Sequence, residues 1–303
     1  MRSSDRTAPR ALTCYSANLV AYLERDDPEA AQKLASAVHL WVRTDVAAEV
    51  LVFSHHDRID FHADGSALTY RTAETWGATR AGIRAELRRR GQVLVVGNTW
   101  YVPWSPSAKA EEVPHWVVVS GYEHEHWHVA DHFAARTPRG EQMRYRGWLT
   151  EEDFRALLTP LTSPTPEQLH RDRHALGTAV SMPESSRYRW LERATTALDP
   201  SPADDVEWIR DPASVLHLIT RTLQADPGVL ARLALDIWCA SRHQCYRLAA
   251  QGQGESEKAR AWADLPRAVQ FAVEALRRGR RRTSSVEQVV VRISRMLEAG
   301  GTP

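Results

Sequence analysis

Cysteine is scarce in this chain: three in 303 residues, at Cys14, Cys239 and Cys245. An odd, widely spaced set cannot build the dense disulfide framework of a small secreted domain, so the expected compartment is reducing, the cytoplasm. Net charge is lacking too. With 39 basic and 38 acidic residues the formal charge is +1, which gives no global field to recruit nucleic acid or an anionic membrane. No stretch of about eighteen apolar residues occurs, so a spanning helix is not expected. The segment from Met1 to Arg10 is polar, with three arginines and no apolar run behind it; neither a secretory signal nor a membrane anchor is expected. What remains is ordinary, 43% hydrophobic and 25% charged, the composition of a globular protein. The length exceeds one small core, and two domains are expected.

The pattern along the chain divides unevenly. Ala11 to Glu24 has helical spacing (Ala17, Leu19, Val20, Leu23) and an opening Thr13, which puts Cys14 in the first turn. Ala47 to Phe53 reads as a strand, and Thr75 to Arg90 as a helix closed by Gly91. Gln92 to Val96 is a short apolar run between glycines, the pattern of a buried strand. His115 to Tyr122 and Trp127 to Phe133 read as two strands of an antiparallel hairpin across the polar Glu123–His126 stretch. Thr159 to Pro166 holds three prolines and three threonines, and this places the domain boundary, 1–165 and 166–303. Beyond Pro183 the spacing is helical throughout: Ser186–Leu198, Asp211–Gln224, Pro227–Ala250, Lys258–Arg278 and Ser284–Glu298. The expected class is α+β, an antiparallel-sheet domain followed by an all-helical one.

One cysteine, one histidine and one aspartate fall where chemistry would want them. A thiol is a good nucleophile only as thiolate, and a first-turn position exposes Cys14 to backbone N–H groups and to the positive end of the helix dipole, both of which favour an anion. His115 on the neighbouring hairpin would act as base. The separation 131 − 115 = 16 puts His115 and Asp131 opposite one another if the turn is centred on Glu123, so the carboxylate would orient the imidazole. Spacing of this kind also arises in surface hairpins, and a cysteine at a helix start is most often a small buried hydrophobe.

The stretches TCYSANLVAYL, VLVVGNTWYVPWSP and VPHWVVVSGYEHEHWHVADHF together resemble the butirosin biosynthesis protein H family, whose N-terminal domain is papain-like and opens on a nucleophile helix. The chain order cysteine, histidine, aspartate is the same. The resemblance implies a catalytic triad of Cys14, His115 and Asp131, with Asn18, Asn98, Trp100, Tyr101 and Trp104 as substrate-pocket candidates. It implies acyl transfer: an acyl or aminoacyl group leaves the phosphopantetheine arm of an acyl or peptidyl carrier protein for Cys14 and passes to an amine of a small-molecule acceptor in antibiotic or other natural-product biosynthesis. No cofactor resident on the enzyme is implied. At Asn98 the family pattern has an aspartate, and no glutamine precedes Cys14 as it does in papain-like proteases, which weighs against a protease.

Two other readings stay open. One is a thioester or peptide hydrolase using the same three residues; the other is a non-catalytic module that keeps only the papain-like shape. His124, His126 and His128 alternate along the hairpin as metal ligands could, but a polar turn accounts for them as well. The basic run Arg277 to Arg282 reads as a solvated helix end. The expected partners are a carrier protein and a small molecule, without nucleic acid or membrane.

Overall fold

A computed structural model describes residues 12–137, 139–177, 180–182, 184, 186–195, 207–226, 228–280 and 283–299. The leader Met1 to Arg10, as well as Arg281 and Arg282, lie outside the described residues. Among these residues the elements run α1 (Cys14–Leu23), α2 (Ala30–Ala37), β1 (Val38–Asp45), β2 (Val50–His56), β3 (Ala67–Ala73), α3 (Trp76–Arg90), β4 (Val93–Asn98), β5 (Pro114–Glu123) and β6 (His126–Asp131). Then come β7 (Ala135–Thr137), β8 (Gly140–Gln142), β9 (Tyr145–Thr150), α4 (Glu151–Leu157), α5 (Pro166–Arg173), β10 (Tyr188–Ala194), α6 (Pro212–Ala225), α7 (Val229–Ala250), α8 (Glu257–Arg277) and α9 (Ser284–Ala299). The fold is mixed α+β with antiparallel sheets.

The chain forms two compact units, both discontinuous. One comprises the described residues of Ala8–Lys33 and Arg58–Ala203, the other Leu34–Asp57 with the described residues of Asp204–Pro303. The division expected at residue 165 is replaced by these boundaries, and β10 is the reason. Ser186 to Leu198 was expected to be helical, yet Tyr188–Ala194 is a strand seated between β3 and β4 in a six-stranded sheet of order β3-β10-β4-β5-β6-β9; Leu198 lies outside the described residues. This sheet has a core on each face at β10. Here Trp190 enters the hydrophobic cluster with Ile83, Val117 and Trp127, while its neighbour Leu191 enters the opposite cluster with Leu19, Leu94 and Trp116. That two-sided burial overrides the helical spacing.

In this unit α1 packs on β4 and β5. Thr13 caps it, its hydroxyl accepting from the Ser16 N–H. Helix α3 ends as read from sequence, because Gly91 takes the left-handed conformation (φ +70°) that closes a helix and that other residues adopt at a cost. The β5–β6 hairpin turns through His124 and Glu125, both with positive φ (46° and 60°), the two-residue turn whose twist matches antiparallel strands.

The other unit joins the β1–β2 hairpin to α6, α7, α8 and α9 around a core of Val42, Phe53, Leu216, Leu230, Trp262 and Ile293. Asp211 caps α6 and Pro212 opens it. Strand β1 was missed from sequence, since Val38–Asp45 interleaves His39, Trp41 and Arg43 with its apolar positions. No helix among the described residues is long and apolar enough to cross a membrane.

Candidate functional site

Because β5 and β6 are antiparallel, the start of one and the end of the other meet at the same end of the sheet, and the end of β4 joins them with Gly97 opposite His115. The N-terminus of α1 comes to that end. This is settled by Asn18, one turn into the helix, whose Nδ2 donates to the Trp116 carbonyl (2.8 Å) and to Asp131 Oδ1 (3.1 Å).

His115 Nε2 lies 2.7 Å from Asp131 Oδ2, and both residues are almost fully buried. Cys14 is near enough to His115 to help raise its pKa. With Nε2 committed to the carboxylate, Nδ1 is the ring nitrogen left for the sulfur. The contact is diagonal rather than directly opposed. Val118 pairs with Ala130 and the register slips between Val119 and Gly121, so Asp131 falls level with Val117, two residues from His115. Diagonal neighbours still reach one another with long side chains.

Asp131 collects more donors than an orienting role needs. Oδ2 accepts from His115, from Trp104 Nε1 (2.8 Å) and from Gln142 Nε2 (3.0 Å); Oδ1 accepts from Asn18 and from the Phe133 N–H (2.9 Å). Burial alone would raise the carboxyl pKa, but the His115 charge and the hydrogen bonds outweigh it and hold the group below its ordinary value. Burial likewise disfavours a charged His115, and Asp131, with a smaller contribution from Cys14, reverses this and raises the imidazole pKa to about 10. The pair is therefore an imidazolium and a carboxylate at neutral pH.

The remaining pocket candidates divide. Trp104 is half-buried and stacks on Tyr145 (3.9 Å, 3°) while it donates to Asp131. Asn18 is fully buried and binds four groups: Cys14 O, Trp116 O, Asp131 and the His132 N–H. Asn98 is fully buried at the end of β4; its Oδ1 accepts from the Trp100 N–H (3.0 Å), and its Nδ2 has no hydrogen-bond partner. Trp100 and Tyr101 sit in the short turn beyond and engage Lys109, through its N–H and its ammonium respectively.

Sequence reasoning missed Gln142 and the support beneath α1. Tyr15, next to Cys14, donates to Asp172 Oδ1 (2.6 Å), whose other oxygen pairs with Arg189 at 2.7 Å, all three buried. Asp172 lies in α5 and Arg189 in β10, more than 150 residues from Tyr15, so no local spacing could have shown them. Among the described residues no group of three histidine, cysteine or acidic side chains is placed to hold a metal ion. No protein-family model matches the chain and no curated protein matches it.

Proposed function

We propose that the chain is a cysteine-dependent acyltransferase with a papain-like catalytic unit, α1 being its nucleophile helix, and with Cys14, His115 and Asp131 as its triad. The observation that carries the reading is the buried His115–Asp131 contact of 2.7 Å with the half-buried Cys14 at the same end of the sheet, assembled from three separate elements. Cys14 is the first residue of α1, and the amides of Cys14 and Tyr15 lie outside the intrahelical ladder, where they can serve a developing oxyanion.

The chemistry follows from the charge state. Cys14, reacting as thiolate, attacks the carbonyl carbon of a thioester; the tetrahedral intermediate collapses, breaking the bond to the donor sulfur, which takes the proton from the His115 imidazolium. His115 is then neutral. An amine of the acceptor attacks the acyl-cysteine, its proton passes to His115, and Cys14 leaves as thiolate, regenerating the starting pair. At rest His115 is thus a proton store rather than the free base that the sequence suggests; it becomes a base only after acylation. Exchange of one thioester for another costs little, which suits a carrier-bound acyl donor and a small-molecule amine acceptor in natural-product biosynthesis. Three cysteines without a disulfide among them suit a reducing cytoplasm.

The test is intact-mass analysis after mixing the protein with acyl thioesters. Wild type gains the acyl mass and Cys14→Ala does not; a gain that persists in Cys14→Ala refutes the assignment. Adding an amine discharges the acyl group faster than water does, and equal rates would make the protein a hydrolase.

A further inference from the structure

Strand β9 is an edge of the six-stranded sheet, and its register with β6 sets Arg146 opposite Ala130 and Tyr145 opposite Asp131. Side chains alternate across a sheet. Arg146 therefore shares a face with Ala130, and one step beyond the paired residues Arg144 comes level with His132 on that same face. Val118 pairs with Ala130, so this is the face that Leu94, Val96, Trp116 and Val118 present to α1. Over β6 and β9 the face is open: Arg144, Arg146 and Trp148 are exposed and His132 is half-buried.

The charge on this face is uncompensated. Elsewhere in the unit Arg58 pairs with Asp60, Arg139 with Glu111 and Arg189 with Asp172. Among the described residues neither Arg144 nor Arg146 has a carboxylate partner. Two like charges at alternate positions of one strand repel, and an anion between them would relieve the repulsion. Burial, then the charge of Arg146, hold the His132 imidazole below its usual pKa against the opposing charge of Asp131, and Arg144 adds to the lowering. The backbone that carries the patch is joined to the first turn of α1 by two hydrogen bonds: the His132 N–H donates to Asn18 Oδ1 (2.9 Å), and Asn18 Nδ2 donates to the Cys14 carbonyl (3.0 Å). An anion there lies beside the turn that bears Cys14.

We propose that Arg144, Arg146 and His132 form an anion-recognition site that binds the phosphoryl group on the arm of the thioester donor. This rests on the acyl-transfer reading. Guanidinium forks match phosphate oxygens in pairs, and the exposed Trp148 on the same face offers apolar surface to the arm. Neither arginine belongs to the triad or its hydrogen-bond network, so their loss changes donor binding and leaves the chemical steps intact.

The experiment compares Cys14 acylation by one acyl group on three donors: an N-acetylcysteamine thioester with no phosphate, a pantetheine 4′-phosphate thioester, and a carrier-protein thioester. The expected result is a KM at least tenfold lower for the two phosphorylated donors. In Arg144→Gln/Arg146→Gln that advantage disappears, kcat is kept and the N-acetylcysteamine rate is unchanged. Equal loss with all donors, or no loss with any, overturns the site. If the double variant affects the carrier-protein donor alone, the arginines meet the protein's acidic surface and the phosphoryl assignment is overturned. Calorimetric titration with pantetheine 4′-phosphate itself keeps the test independent of chemistry. Binding at least tenfold weaker in the double variant supports the site even where no thioester acylates Cys14, a result that would refute only the acyl-transfer reading. Equal binding by wild type and variant overturns the site.

Discussion

At the scale of single residues the decisive feature is the charge state of His115. Its pKa, raised to about 10 by Asp131 against the cost of burial, gives acylation a falling limb at alkaline pH, where the imidazole has lost the proton that the leaving thiol needs. In Asp131→Asn the carboxylate charge is gone, and the limb moves down toward the ordinary imidazole range near 6.5. The rate at neutral pH falls on the order of 10²-fold or more. A pH–rate profile of acylation by intact mass checks both, and an unmoved limb would show that Asp131 does not set the proton. The same pair links to stability. The raised pKa of His115 contributes stability below about pH 6.5 that is lost as pH rises through about 10, and the lowered pKa of Asp131 contributes stability that is lost as pH falls through its depressed value. The meeting of His115 with Asp131 was legible from their spacing on the hairpin. Gln142 was not, since it reaches Asp131 through a separate two-stranded hairpin that no periodicity connects to β6.

At the scale of elements, α1 is held from below by α5 and β10. Replacing one partner of a buried ion pair leaves the other charge unpaired, so Arg189→Met is expected to cost about 3–5 kcal/mol by urea titration. Arg189→Met/Asp172→Leu removes both charges and is expected to recover much of that loss, although Tyr15 then loses its acceptor. A single variant as stable as wild type would show that the pair does not support the helix. The caps of α1, α3 and α6 were readable from Thr13, Gly91 and Asp211, because a cap is a local exchange between a side chain or a left-handed residue and a few orphan backbone groups. Strand β10 was not. Its apolar residues fit a helix face equally well, and only the vacancy between β3 and β4, with a core on each side, selects a strand.

At the scale of the whole molecule, the two discontinuous units carry different sensitivities to acid. In the unit built on α6–α9, His243 stacks on His55 (5.1 Å) and lies near His56, and burial, then the neighbouring His56, lower the His243 pKa to about 3. His39 is lowered to about 3 by burial, His56, Arg210 and Arg247. Above about pH 6.5 these groups are neutral folded and unfolded alike. Between about 6.5 and 3 the unfolded chain binds protons that the folded chain refuses, and stability falls as pH falls. The expected slope is up to about 1.4 kcal/mol per pH unit for each histidine. Urea titrations followed by circular dichroism from pH 7 to pH 5 measure it, and His243→Phe flattens it. An unchanged slope in that variant would remove His243 from the account.

The sequence by itself determined the α+β class, the hairpin and the caps, because each depends on chemistry within a few positions of the chain; it offered Cys14, His115 and Asp131 only through the order of its motifs and a family resemblance. Tertiary structure decided what lies between distant segments. It interleaved the two units, placed β10 in mid-sheet, set His115 diagonal to Asp131 through one register slip and charged the imidazole by burying it against a carboxylate. It also left Arg144 and Arg146 exposed on one face at the sheet edge without a carboxylate partner among the described residues. Those outcomes depend on burial and long-range pairing, which a linear pattern does not encode.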